Sequence, residues 1–382
     1  MFPTGKFKNI RTPFYYYDTQ LLRDTLRAIH SEMGRHEGWF MHYAIKANAN
    51  PAILRIISQE GFGADCVSGG EIEAAIRAGF SPSKIVYAGV GKADWEINLA
   101  LQNDIFCFNV ESLAELDVIN QLAAAQGKIA HVAFRINPDV GAHTHANITT
   151  GLAENKFGIA MSDMLPAIEQ CSLLSNVQFE GLHFHIGSQI LDMGDFKALC
   201  NRINDLLILL NRHHITIRHI NVGGGLGISY AHPDQQPIAD FHSYFQTFAR
   251  HLHIQPGQTL HFELGRAVVA QCGTLVSQVL YVKQGTRKQF AILDAGMTDL
   301  IRPALYQACH HIQNLTSCEP RETYDIVGPI CESSDVFGKA IDLNKCHRGD
   351  LIAIRSAGAY GEIMASQYNC RPLPKGYLTE EL

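Results

Sequence analysis

A lysine leaving a buried strand is costly unless it is used, and Lys46 directly follows the apolar run in YAIKAN (43–48). Its amine has a readily shifted pKa and suits a Schiff base with a carbonyl compound. A lysine merely reaching solvent at a strand end is the plain alternative. Gly223-Gly224-Gly225-Leu226-Gly227 follows the run IRHINV (217–222), where amides unobstructed by a Cβ can surround a phosphate. A tight turn, or a dinucleotide loop, would leave the same trace. Glu263 and Arg266 stand in ELGR (263–266). A carboxylate beside a pyridine nitrogen keeps that nitrogen protonated, and a guanidinium grips a carboxylate or phosphate with its planar fork. A surface Glu–Arg pair of little energetic weight fits the same letters.

His183 and His185 in HFHIGSQ (183–189) alternate along a strand and so project the same way. Their HxH spacing invites a metal, but His143/His145 and His251/His253 repeat it without supporting Cys, Asp or Glu spacing. No metal site is expected. His185 is left as a ring stacked on a planar ligand or as a satisfied core histidine. Farther along, GPICESSD (328–335) sets Cys331 beside Glu332 in a Gly/Pro/Ser loop, where a thiol either donates a proton or is inert. In DAGMTDLIRPALY (294–306), Arg302 and Tyr306 lie four apart, on one face of a short helix. SAGAYG (356–361) presents Tyr360 between glycines that allow close backbone approach.

These side chains need elements to bring them together. Eight apolar runs read as strands: 39–45, 62–67, 84–88, 105–110, 129–136, 178–186, 217–222 and 259–263. They are dense in Val, Ile and aromatics, as strands buried on both faces are. Amphipathic segments separate them; in 195–212, Phe196, Leu199, Ile203, Leu206, Leu207 and Leu210 recur at the helix period. A helix at 19–33 with Leu22, Leu26, Ile29 and Met33 on one face precedes the first strand. Eight strands alternating with helices over about 225 residues match a (β/α)8 barrel, with a doubly wound sheet as the alternative. In such a barrel functional residues gather at the strand C-terminal ends, and phosphate binds after strands seven and eight. Lys46, Asp65, Arg135 with Asn137, His185 with Ser188, Gly223–Gly225, and Glu263 with Arg266 occupy those ends, which argues for one shared site.

After Arg266 the texture changes. Residues 267–283, 289–295, 324–327 and 350–356 read as strands between turn-rich loops, a second and mostly β domain that takes in the residues around Pro13–Tyr17. The expected division is a barrel over 18–265 and a β-rich domain of 1–17 with 266–382.

Composition narrows the function classes. Among 382 residues, Lys+Arg 31 against Asp+Glu 37 gives a net charge of −6 with no basic block, which disfavours nucleic acid or an anionic membrane as partner. The longest aliphatic run, Leu206–Leu210, is far short of a bilayer span, and residues 1–17 lack the apolar stretch of a signal peptide. Ten scattered cysteines without a CxxC fit reduced thiols. A cytoplasmic protein is expected.

Taken in order, YAIKAN, GADCVSGGE, FRINP, HFHIGSQ, GGGLG, ELGR, DAGMTDLIRPALY, GPICESSDVF and SAGAYG resemble the fold-type III pyridoxal-phosphate decarboxylases. The likeness covers nearly the whole chain and is strongest to the members that act on meso-diaminopimelate. It implies an α/β fold, a (β/α)8 TIM-like barrel plus a C-terminal β-barrel-like domain, the alanine racemase-like architecture of the group IV decarboxylases. It further implies pyridoxal 5'-phosphate as cofactor, Lys46 as the Schiff-base lysine and His185 as the stacking imidazole. Ser188 and Gly223, Gly224 and Gly225 would hold the phosphate, and Glu263 would pair with the pyridinium nitrogen. Asp65 and the turn Leu264-Gly265-Arg266 complete the implied cofactor contacts, with Tyr360 at both cofactor and substrate. Arg266, Arg302, Tyr306 and Glu332 match substrate-binding positions, and Cys331 matches the proton donor. In this family the Cys–Glu loop reaches the neighbouring subunit's barrel, which implies a homodimer with shared sites.

Two departures stand out. The family usually has Glu-Pro-Gly-Arg where this chain has Leu264, which should loosen that turn slightly. The chain also looks short for the family, consistent with trimmed surface loops.

The substrate preference follows from charge. Meso-diaminopimelate carries a carboxylate and an ammonium at its distal end, for which Arg266 and Arg302 supply cations and Glu332 an anion. Ornithine and lysine lack that carboxylate and would leave the arginines unpaired; sites built for a polar group reject analogues lacking it by about 10⁴–10⁵-fold. The expected activity is therefore decarboxylation to L-lysine, the last step of lysine biosynthesis. Ornithine, arginine or carboxynorspermidine decarboxylation on the same fold is the runner-up. A catalytically dead partner-binding homologue and a His-rich metalloenzyme are the other classes.

Overall fold

All eight apolar runs form strands in the computed structural model, which describes residues 2–140 and 156–382. They are β1 Trp39–Ala44, β2 Gly63–Cys66, β3 Ile85–Tyr87, β4 Cys107–Val110, β5 Ala130–Asn137, β6 Val177–His183, β7 His219–Asn221 and β8 Thr259–Leu264. Every adjacent pair is parallel. The ring closes where β8 pairs with β1, Glu263 opposite His42 and Leu264 opposite Tyr43. Closure excludes the doubly wound alternative.

The sixth strand is shorter than the 178–186 run. It ends at His183, and the following segment leaves the barrel to bridge Ile190 to Leu226 beside the glycine-rich loop. The helix expected over 195–212 spans Met193–Arg212, started by the Asp192 side chain accepting from the Gly194 N–H. All six of its predicted apolar positions are buried, each removing a side chain from water at roughly 1.5–3 kcal/mol. The N-terminal helix is Thr19–Met33, again with its four predicted apolar residues buried.

Chain contacts divide the molecule into a barrel unit, Leu26–Gly227 with Asp240–Gly265, and a β-rich unit, Met1–Thr25, Ile228–Ala239 and Arg266–Leu382. The boundary therefore differs from 18–265 at two places. Residues 18–25 and 228–239 belong with the β-rich unit, the second because Tyr230, Asp234 and Gln236 spend their hydrogen bonds on Arg266, Arg302, Arg355 and Gln271.

The β-rich unit is an eight-stranded mixed sheet. Its path runs Ile312–Asn314, Leu351–Ile354, Gly273–Gln284, Gln289–Leu293, Arg321–Val327 and Val336–Asn344, and Phe14–Tyr17 joins Gly273–Gln284 to Lys375–Leu378. The expected strand 267–283 starts late, because Arg266–Val269 form a helical turn first. Strands at Ile312–Asn314, Val336–Asn344 and Lys375–Leu378 were not expected. No helix among the described residues is long and apolar enough to cross a membrane, and all ten cysteines are free thiols.

Candidate active site

The C-terminal mouth of the barrel carries the residues that the strand ends predict. Lys46 lies in a single turn of 3-10 helix after β1, its Nζ donating to Asp65 Oδ2 at 3.1 Å. Asp65 is 1% exposed, and its second oxygen has no hydrogen-bond partner. Burial, then the charge of Glu263, raises the Asp65 carboxyl against the opposing pull of Lys46.

Glu263, buried near the end of β8, accepts three side-chain hydrogen bonds. Its Oε1 accepts from Asn221 Nδ2 at 2.8 Å and Asn109 Nδ2 at 3.1 Å, and its Oε2 meets His183 Nε2 at 2.9 Å. Burial pushes the carboxyl up. The field and hydrogen bond of His183, followed by Lys46 and His185, outweigh it and hold the group far below the usual carboxylate range.

His185 is half-buried beside the glycine-rich loop, with the Gly224 N–H 3.3 Å from its Nδ1. Burial, then the charges of Arg135 and Lys46, pushes the ring well below the usual histidine range, so it is neutral. The loop itself admits only glycine: Gly223 and Gly225 have φ of +70° and +107°, and a Cβ on Gly224 would stand 1.8 Å from the Glu263 carbonyl oxygen. Ser188 belongs to the segment stitched to this loop by the Ile190 N–H to Gly225 O and Gly227 N–H to Ile190 O bonds. Leu264 is buried and stands opposite Tyr43 in the β8–β1 ladder. Gly265 packs against Ala44 and Ala47, where a Cβ would be tight at 3.0–3.1 Å.

Arg135 and Asn137 have structural partners. Arg135 pairs with Glu111 at 3.0 Å, and Asn137 donates to the Phe157 carbonyl at 2.6 Å.

Within the β-rich unit, Arg266 and Arg302 are both buried and both donate to one oxygen, Tyr230 Oη, at 2.7 Å each. Arg302 also lies 3.1 Å from His310 Nε2 and over the Tyr230 ring, and Arg266 lies over the Tyr360 ring. Burial, and then against Tyr230 the neighbouring charge of Arg266, pushes Arg302 down. Tyr360 itself sits at φ +56°. Tyr306 ends the short helix Arg302–Tyr306 and is half-buried. Cys331 and Glu332 lie exposed in their loop; the Cys331 N–H reaches Asn369 Oδ1 at 3.3 Å, and Tyr368 donates to Glu332 at 2.9 Å.

Known proteins resemble this chain in sequence and fold. The family profile described as pyridoxal-dependent decarboxylase, pyridoxal binding domain, matches residues 20–270. A diaminopimelate decarboxylase of Bacteroides thetaiotaomicron is 71% identical over 382 residues, spanning 100% of this chain and 99% of that protein. One of Zymomonas mobilis is 42% identical over 366 residues, 95% of this chain and 86% of its own length. The crystal structure of diaminopimelate decarboxylase from Helicobacter pylori complexed with L-lysine matches with a TM-score of 0.93 at 39% identity, covering 99% of this chain and 94% of that one. The chain belongs to the diaminopimelate decarboxylase family. Members of this family are pyridoxal-phosphate-dependent carboxy-lyases.

The barrel residues fit that cofactor. An amine at the mouth, a buried acid whose free oxygen lacks a partner, a buried carboxylate and a Cβ-free loop after β7 are the donor set that an aldehyde, a basic ring nitrogen and a phosphate require. Five side chains that touch these groups were not singled out from sequence for the roles they hold: Asn109, Asn221, His183, Tyr230 and His310. The first three carried a usable signal, polar residues at inward strand positions in otherwise apolar runs. Tyr230 and His310 carried none. Among the described residues no group of three or more His, Cys, Asp or Glu could hold a metal; His143 and His145 lie outside the described residues.

Proposed function

We propose that this chain decarboxylates meso-2,6-diaminopimelate to L-lysine and CO2, the last step of lysine biosynthesis, using pyridoxal phosphate attached through Lys46. Bound there, the cofactor supplies an electron sink for the pair left when the Cα–CO2 bond breaks. Asp65 keeps the Lys46 amine oriented. Glu263 would hold the ring nitrogen as an acceptor, and His185, a neutral ring, would pack against the cofactor. Ser188 and the amides of Gly224 and Gly225 take the phosphate, with Gly223 shaping the loop. The Gly223 N–H is held by Asn221 at 2.9 Å, while the Gly224 contact to His185 at 3.3 Å is the long one that a phosphate oxygen would replace. Cys331 returns a proton to Cα, and Tyr360 packs the Arg266 guanidinium.

The observation that carries the substrate reading is the pair of buried guanidiniums meeting on one phenol. Two cations so close repel each other, and a distal carboxylate relieves that repulsion where a simple diamine would worsen it. Glu332, with Tyr306 of the same unit, would read the distal ammonium. The test is to incubate the protein with pyridoxal phosphate and meso-diaminopimelate, L-ornithine or L-arginine in parallel, and to measure CO2 and product. Turnover confined to meso-diaminopimelate is expected; preferential release from ornithine or arginine overturns the assignment.

A further inference from the structure

The Glu263 carboxylate offers about four lone-pair sites, and the barrel fills three of them. Asn109 and Asn221 take Oε1, and His183 takes Oε2. One acceptor site is left, and it is on Oε2. His183 has no other polar commitment: its Nδ1 is buried without a hydrogen-bond partner, and with a carboxylate as acceptor its Nε2 carries the hydrogen. Asn109 likewise spends its side-chain donor on Glu263. Asn221 binds Glu263 with its amide nitrogen and the Gly223 N–H with its oxygen, so one side chain ties the acid to the glycine-rich loop. The three come from β4, β6 and β7, strands whose spacing is fixed by the closed ladder.

We propose that His183, Asn109 and Asn221 are positioning residues that lock the Glu263 carboxylate in one orientation, with a single acceptor site directed to the cofactor's ring nitrogen. This rests on Glu263 being the ring-nitrogen partner. Removing His183 opens a second site on Oε2 and leaves the carboxylate free to turn or to take a proton, so the ring nitrogen loses its fixed acceptor.

The test uses holoenzyme reconstituted with pyridoxal phosphate labelled with nitrogen-15 in the ring, whose chemical shift reports protonation of that nitrogen. His183→Leu is expected to move the resonance from the pyridinium toward the unprotonated position. It should also lower kcat about tenfold to a hundredfold, the range for losing a partner that orients a ligand, with KM changed little. His183→Gln, which restores an amide donor, should recover both. Should His183→Leu fail to fold, Asn109→Leu carries the same expectation in smaller measure. If His183→Leu or Asn109→Leu keeps the parent resonance and kcat while Glu263→Gln loses both, the positioning role is overturned. If Glu263→Gln also keeps the parent resonance, the Glu263 reading beneath it is what fails, and this one goes with it.

Discussion

Tyr230 Oη accepts from two buried arginines, so a change at this one atom is felt by both cations. A hydrogen bond to a charged group is worth about 1.5–3 kcal/mol. Tyr230→Phe keeps the ring under Arg302 but removes the shared acceptor. It should lower kcat/KM for meso-diaminopimelate about tenfold to a hundredfold, with most of the change in KM. Arg302→Ala removes a cation outright and should cost several further orders of magnitude, on the order of 10⁴-fold. Steady-state kinetics on the two variants decide this: an Arg302→Ala enzyme within a few-fold of its parent would refute the distal-carboxylate reading. At this scale much of the site was legible. Lys46, Glu263 and the triple glycine announce themselves because their types are out of place at the ends of apolar runs. Tyr230 and His310 do not, since a tyrosine in a loop and one histidine among 19 gain meaning only from what folds against them.

At the scale of elements, the glycine-rich loop and the barrel floor can be probed separately. A Cβ at residue 224 would meet the Glu263 carbonyl oxygen at 1.8 Å, and the Glu263 backbone is held in the closed ladder opposite His42. Gly224→Ala should destabilise the barrel by more than about 3 kcal/mol in urea melts, whereas Gly91→Ala, with nothing within 4 Å, should stay within about 1 kcal/mol. Equal effects would remove the packing argument. The floor is made of His42, His219 and His261: His42 Nε2 and His261 Nδ1 are 2.9 Å apart, and Thr259 joins His261 to His219. Burial pushes all three below the usual histidine range. The unfolded chain takes up protons near pH 6.5 that the folded floor refuses, so this stability is complete above that pH and is lost as pH falls. Glu71 and Asp299, pushed up by burial to about 7 and about 6, act in the opposite sense, so the measurement must be a difference between variant and parent. His261→Gln should reduce the loss of stability below pH 6.5 by up to about 1.4 kcal/mol per pH unit. An unchanged slope would mean that the floor is protonated in the fold.

The eight strands and the two marked helices were readable because a strand buried on both faces, or a helix buried on one, writes that burial into its composition. Val336–Asn344 and Lys375–Leu378 were missed for the opposite reason: few residues of either strand are fully buried, and its pairing rather than its apolarity makes it a strand. The unit boundary at 228–239 escaped for a related cause. It is set by hydrogen bonds of Tyr230, Asp234 and Gln236 to residues far along the chain, which no local pattern encodes.

At the scale of the whole molecule, the family resemblance implies an arrangement, still to be tested, in which Cys331 serves a barrel other than its own. In this structure Cys331 and Glu332 are exposed, held by Asn369 and Tyr368 of their own unit. An exposed acid–base pair in a defined loop suits a site completed by a second copy of the chain. Subunit mixing tests this directly. Lys46→Ala should bind no cofactor covalently, and Cys331→Ala should lack the proton donor; each alone is expected to be nearly inactive as a homodimer. If each site draws Lys46 from one subunit and Cys331 from the other, a mixed dimer contains one site with both residues intact and one with neither. Equal mixing gives half mixed dimers, each with one working site of two, and so roughly a quarter of the parent activity. If instead both residues serve the site of their own chain, every site in every dimer lacks one of them. Mixing then restores nothing, even though dimers form. Activity that stays at the level of the separate variants, with subunit exchange verified by mass, would return Cys331 to its own barrel.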